Sequence, residues 1–195
     1  MKFKIYKFKS VTSTNDIAIN LIKKENKLSG YVCAKMQTKG RGTMGKKWIS
    51  NDGNFFSTLF FPLKKKYPPF NEFSIINPII VSNVIKKICN IEEVNLKFPN
   101  DIFLNGKKIC GILQETITIK NKDFLVIGIG LNLVSSPNNI DHSYKASNIF
   151  KETKKKPKIN EITSLIITSY ENFFNKLNIY NFENFKNKAN LISIS

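Results

Sequence analysis

The dipeptide Asn105-Gly106 constrains this chain more than any other local feature. It stands between two runs of strand character, Asp101–Leu104 and Lys108–Ile119. Asn-Gly accepts the left-handed backbone of a tight hairpin turn at little cost, so the two runs pair antiparallel. The neighbouring segments continue the pattern. Val94–Phe98 reads as a short strand stopped by Pro99, and Asp123–Leu133 as a longer one. Upstream, Phe3–Phe8 alternates apolar and basic residues, Tyr31–Met36 is apolar, and Asn54–Phe61 is a buried-strand pattern stopped by Pro62. Helical periodicity flanks this β-rich middle. One helix starts at Ser13 or Thr14 and runs to about Lys24, with Ile17, Ala18, Leu21 and Ile22 on one face. Ser74–Cys89 forms another, with Pro78 in its first turn or at a kink. Glu161–Leu177 and Phe182–Ala189 close the chain, and Val134–Pro157 is irregular and polar. The expected fold class is α+β: a mixed, mostly antiparallel central sheet covered by helices on one face. At 195 residues the chain reads as a single domain over 1–195.

Arg41 is the only arginine in a chain whose other basic residues are all lysine. It sits in Lys39-Gly40-Arg41-Gly42-Thr43-Met44-Gly45-Lys46-Lys47-Trp48. A guanidinium offers a rigid fork of donors to phosphate or carboxylate, which an ammonium cannot reproduce. Glycines let the backbone wrap closely around an anion. The segment therefore reads as an anion-binding loop for a nucleotide phosphate. Two familiar labels do not fit it. G-x-G-x-x-G requires a helix to begin at the loop, and none is signalled after Lys46. G-x4-G-K-[ST] requires a hydroxyl where Lys47 stands.

Other chemistries have little support. The single histidine, His142, lies in the polar segment, which disfavours a zinc site or a histidine triad. Cys33, Cys89 and Cys110 lack metal-ligand spacing, and Cys33 and Cys110 fall on apolar strands, as buried inert thiols would. They imply a reduced, cytoplasmic protein. The N-terminus has no apolar secretory core, and no apolar run reaches the ~18 residues of a membrane span. The net charge of +17 comes from scattered lysines, with dense runs only at 64–66 and 154–156. Such scatter favours compositional drift over a specific nucleic-acid surface.

Five segments together resemble one family: Ser13–Asp16 (STND), Gln37–Trp48 (QTKGRGTMGKKW), Lys97–Asp101 (KFPND), Lys108–Glu115 (KICGILQE) and Ile127–Leu133 (IGIGLNL). Their order and spacing are similar to the catalytic domain of biotin protein ligases, a fold shared with class II aminoacyl-tRNA synthetases. The resemblance implies an ATP-dependent ligase with magnesium. Such an enzyme makes biotinyl-5′-adenylate and transfers biotin to a lysine of a biotin carboxyl carrier protein, a subunit of acetyl-CoA carboxylase. It acts as a monomer or homodimer with no specific nucleic-acid or membrane partner.

The same resemblance assigns roles. Ser13, Thr14, Asn15 and Gln37 match biotin contacts. In the loop over the adenylate, Arg41, Gly42 and Thr43 match biotin contacts and Gly40, Arg41 and Gly42 nucleotide contacts; Arg41 and Lys97 match the catalytic residues, Lys97 at the biotin carboxylate and phosphate. Gly111 matches the small residue under the ligand. Asn100 and Asn132 match the nucleotide side. Trp48 stacks on adenine or anchors the end of the loop. Asp101 is a candidate for magnesium or for a lysine partner. Thr43 departs from the family, which often has a second basic residue there. No N-terminal helix-turn-helix and no C-terminal β-barrel are expected. The alternatives are a lipoate or octanoate ligase or transferase of the same fold, and a non-catalytic module that binds biotin or nucleic acid.

Overall fold

The computed structural model of the protein describes residues 1–137 and 144–194. His142 lies outside the described residues. Among these, seven strands form one sheet: β1 (Ile5–Val11), β2 (Gly30–Gln37), β3 (Phe55–Pro62), β4 (Asn95–Lys97), β5 (Asp101–Leu104), β6 (Lys107–Ile119) and β7 (Lys122–Leu131). Their order is β1-β2-β3-β7-β6-β5-β4. Only β1 and β2 pair parallel, joined through the helix α1 (Thr14–Glu25); every other pair is antiparallel. The α+β class and the mostly antiparallel sheet are as the sequence indicates. The hairpin at Asn105-Gly106 joins β5 to β6, with both turn residues at positive φ.

Alternation along β7 separates the two faces of the sheet. Leu125, Ile127, Ile129 and Leu131 enter the main core, with Leu59 and Phe61 of β3 and with α2 (Phe73–Cys89), α4 (Ile159–Asn175) and α5 (Phe182–Ile192). Phe124 and Val126 face the other way, where α1 packs Ala18, Leu21 and Ile22 against Val32 and Phe60. The sheet is thus covered on both faces, not on one. The apolar stripe of α1 needed burial, and the short β1–α1–β2 crossover returns it to the opposite face. Toward the N-terminal end of α1 this second face continues as Gly128 and Gly130, where Asn15 and Trp48 cover the strand and the site forms.

Smaller differences have local causes. Pro78 lies inside α2, beyond its first turn. A short helix, α3 (Ile149–Thr153), interrupts the polar segment read as irregular. Asn148 caps it, accepting from Lys151 N at 2.9 Å.

Candidate active site

Rows of paired residues crossing the sheet build the floor of the site. Asp101 pairs with Gly111, Gly111 with Gly130, and Gly130 with Phe56. One row over, Leu113 pairs with Gly128 and Gly128 with Thr58. The glycines leave a trough, and side chains from elsewhere fill it. A Cβ on Gly130 would meet the Trp48 indole at 2.4 Å, and one on Gly128 would meet Asn15 Oδ1 at 2.3 Å. Both positions require glycine because another group occupies the space a side chain would take.

Above the trough are two cavities. The first is lined by Ser13, Thr14, Asn15 and Gln37, with Arg41, Asn100, Gly111 and the glycines of β7. Its polar wall is cross-linked. Thr14 donates from its N–H and its hydroxyl to Gln37 Oε1 (2.8 and 3.0 Å). Thr58 Oγ1 lies 2.8 Å from Thr14 Oγ1 and 2.6 Å from Asn15 Oδ1. Gln37 Nε2 donates to Ser50 Oγ at 3.0 Å. Ser13 caps α1 by position, but its hydroxyl makes no capping bond.

The second cavity is lined by Thr43, Lys46, Lys47, Ile49, Asp101, Asn132 and Tyr144, among others. Asn132 is 3% exposed and donates to Ser147 O at 3.0 Å, while its Oδ1 has no partner. This buried acceptor faces the cavity free to take a donor from water or from a bound molecule.

Trp48 and Lys108 line both cavities. Lys108 Nζ is 2.7 Å from Asp101 Oδ1 and stands over the rings of Tyr144 (4.8 Å) and Trp48 (5.7 Å). Strict alternation along β6 would turn Lys108 away from Gly111. A register shift between Ile102 and Phe103 pairs Ile102 with Cys110 but Phe103 with Lys108, leaving Ile109 as the extra residue of a bulge. Such bulges re-aim side chains, and here the bulge brings Lys108 onto the glycine face.

The loop that carries Arg41 is closed by Trp48 N donating to Gly40 O (2.9 Å) and Gly42 N to Lys46 O (2.7 Å). It turns through Thr43–Gly45, with Met44 left-handed at φ 54 and 95% exposed. The Arg41 fork holds Glu115 bidentately, both contacts at 2.8 Å, and reaches Asp16 at 2.9 Å. Hydrogen bonds donated to Glu115 raise the guanidinium pKa above its ordinary value.

The structure brings together most of the residues the sequence singles out, with several reassignments. Thr43 lines the second cavity, not the first, and Asn100 lines the first, not the second. Gly40 and Gly42 line neither and serve the loop's own closure. Lys97 also lines neither cavity. It shares a row with Asp101 and Gly111 but sits on the edge strand, two strand spacings or about 10 Å from Gly111. Asp101 meets a lysine, the second of its two expected partners. Trp48 walls both cavities, packed over the trough. Sequence reading missed Lys108, Glu115, Thr58, Tyr144, Gly128 and Gly130. Lys108, Glu115 and the two glycines lie within segments already marked by pattern, but only the bulge and the pairing register select them. All three thiols are unpaired, and burial raises the pKa of each.

Residues 7–132 match the model of the biotin/lipoate A/B protein ligase family. The chain belongs to this family. Among family relatives, a bifunctional ligase/repressor from Escherichia coli is 34% identical over 127 residues, 63% of this chain and 38% of that protein. A biotin–[acetyl-CoA-carboxylase] ligase from Paracoccus denitrificans is 31% identical over 111 residues, 56% of this chain and 46% of that protein. The matches thus span less than half the length of these two relatives. Solved family structures superpose over nearly the whole chain. Biotin protein ligase from Aquifex aeolicus in complex with biotin and ATP gives a TM-score of 0.78 at 27% identity, covering 95% of this chain and 76% of that one. The Leishmania major enzyme in complex with biotinyl-5-AMP gives 0.79 at 26%, covering 98% and 81%.

Proposed function

We propose that this chain carries the catalytic unit of a biotin protein ligase. It joins biotin to ATP as biotinyl-5′-adenylate and then transfers the biotinyl group to a lysine of a biotin carboxyl carrier protein. One observation carries the reading: Lys108 stands where a polar, glycine-floored cavity meets a second cavity that contains an unsatisfied buried acceptor. An acid in the first cavity and a nucleotide in the second would bring a carboxylate and an α-phosphate together at one ammonium group. The Asn132 acceptor suits the exocyclic amine of adenine.

In the first half-reaction a carboxylate oxygen attacks the α-phosphorus and pyrophosphate departs. Lys108 offsets the gathering negative charge, and the cavities hold the reactants in line. In the second, the neutral amine of a carrier lysine attacks the acyl carbon, AMP leaves with the bonding pair, and the amine loses a proton. Neither half-reaction needs an enzyme nucleophile, which suits three thiols whose pKa values burial has raised. Among the described residues Asp101 is the only carboxylate lining the second cavity, and it is already paired with Lys108. Among the described residues, no group of three His, Cys, Asp or Glu side chains could hold a metal. These residues fit a resident magnesium poorly, so the ion enters with the nucleotide, held mainly by its phosphates.

The lipoate or octanoate reading rests on the same family, and a single assay separates the two. The protein is incubated with ATP and biotin, lipoate or octanoate, and pyrophosphate release is followed. A carrier domain is then added and weighed by mass spectrometry. Biotin should give both pyrophosphate and a biotinylated carrier. Turnover with lipoate or octanoate but not biotin would reassign the substrate, and no turnover with any acid would favour the non-catalytic module.

A further inference from the structure

Glu115 contacts two parts of the site at once. Its carboxylate takes the Arg41 fork through both oxygens, and Oε2 also accepts from Asn15 Nδ2 at 2.7 Å. Arg41 belongs to the glycine loop. Asn15 belongs to the first turn of α1 and lines the first cavity. From Asn15 the network continues through Thr58 and Thr14 to Gln37, and from Gln37 to Ser50 at the far end of the loop. Glu115 itself is fixed by β6, on the same face as Gly111 and Leu113.

We infer that Glu115 is the positioning residue that ties the arginine loop to the wall of the first cavity, so that the set of the loop and the readiness of the acid site are held by one carboxylate. Asp16 provides the contrast. It also meets Arg41 and sits in the same first turn of α1, but among the described residues its side chain makes no second tie to the cavity wall. A role confined to neutralising Arg41 would make the two acids equivalent; a bridging role makes them different. The partners of Glu115 sharpen the distinction, because every hydrogen bond described for it is accepted from a donor. Glutamine at this position has one acceptor oxygen and one donor NH₂. It must therefore turn a donor toward Arg41 or Asn15 and leave one of them mispaired.

The inference rests on the ligase reading for its kinetic consequence but not for its structural one, so two readouts are needed. The first uses the ligand-free protein: the rate of trypsin cleavage after Lys46 and Lys47, read by mass spectrometry. Glu115→Gln should speed this cleavage roughly tenfold, the scale of one charge-assisted hydrogen bond lost, with sites outside the loop unaffected. Asp16→Asn should change it several-fold less. The second readout is steady-state pyrophosphate release. Glu115→Gln should raise KM for biotin by about tenfold and leave kcat within about threefold, because the bound geometry survives but is less often adopted.

If Glu115→Gln folds poorly, Arg41→Ala cuts the same link from an exposed position and should open the loop equally. Unchanged loop cleavage in the variants overturns the inference, as does an equal effect from Asp16→Asn. A wild-type protein that does not turn over biotin would sink the ligase reading alone, since the cleavage comparison does not depend on it.

Discussion

Lys107 and Lys108 are consecutive, yet they serve different parts of the molecule. Lys107 pairs with Glu152 at 2.9 Å, while Lys108 pairs with Asp101 and walls both cavities. Lys108→Ala should therefore lower adenylate formation by ~10²–10³-fold, the usual cost of losing a preorganised charge contact. Lys97→Ala should cost less than about tenfold, an indirect effect at most on that scale. Pyrophosphate release by the two variants side by side decides between them; a larger loss at Lys97 would return the role to the strand-end lysine. Glu152 gives a second prediction at this scale. Burial favours its neutral form, but hydrogen bonds from Ser147, Lys107 and Asn105 outweigh that and lower its pKa from 4.5 to about 2. A carboxyl depressed in this way adds stability above its unfolded value and loses it as pH falls through the folded one. Thermal melts should show the wild type losing stability between about pH 4.5 and pH 2. Glu152→Gln should be flatter over that window and less stable at pH 7 by about 1–3 kcal/mol. Parallel pH profiles for the two proteins would contradict the assignment.

At the scale of elements, the strands were readable because their signals are local: the Asn-Gly turn, the stops at Pro62 and Pro99, and the two-residue period of half-buried segments. The polar wall at Ser13, Thr14, Asn15 and Gln37 was readable through its motif. Lys108 was not, because a bulge depends on the pairing partner and not on the strand's own pattern. Glu115 was hidden for a similar reason: its partners Arg41 and Asn15 lie 74 and 100 positions away. The second helical layer was missed because the stripe on α1 shows that the helix is buried but not against which face. The trough makes its own prediction. Gly130→Ala puts a methyl into the Trp48 ring, and clashes of this kind typically cost ~1–3 kcal/mol or move the obstructing group. Because Trp48 is the only tryptophan, intrinsic fluorescence reports it directly. Emission should shift to the red as the indole leaves the trough, and biotin turnover should fall with it. An unchanged spectrum would mean that the sheet, not the indole, gives way.

At the scale of the whole molecule, the charge of +17 is distributed rather than focused. The runs at 64–66 and 154–156 are exposed, and part of the excess lies on the edge strand β1, at Lys7 and Lys9. Lysine there discourages a second sheet from pairing with the open edge. At the opposite edge, Ser193 bridges to Leu96, and Ile194 N donates to Leu96 O at 2.9 Å. Duplex DNA should accordingly bind without sequence preference, and its affinity should fall by orders of magnitude between low and physiological salt. A preferred site surviving competition at physiological salt would show that the lysines are organised after all. Among the described residues, no helix is long and apolar enough to cross a membrane. The two-sided sheet has a last consequence, for quality control. Along β7 every second residue builds the core and the residues between them include the glycines of the trough. A slip of one position would expose Leu125, Ile127, Ile129 and Leu131 and bury the glycines, exchanging the two faces in a single move. No well-packed register isomer with a damaged site can therefore accumulate, and a chain that pairs wrongly is revealed at once by the grease it shows to chaperones and proteases.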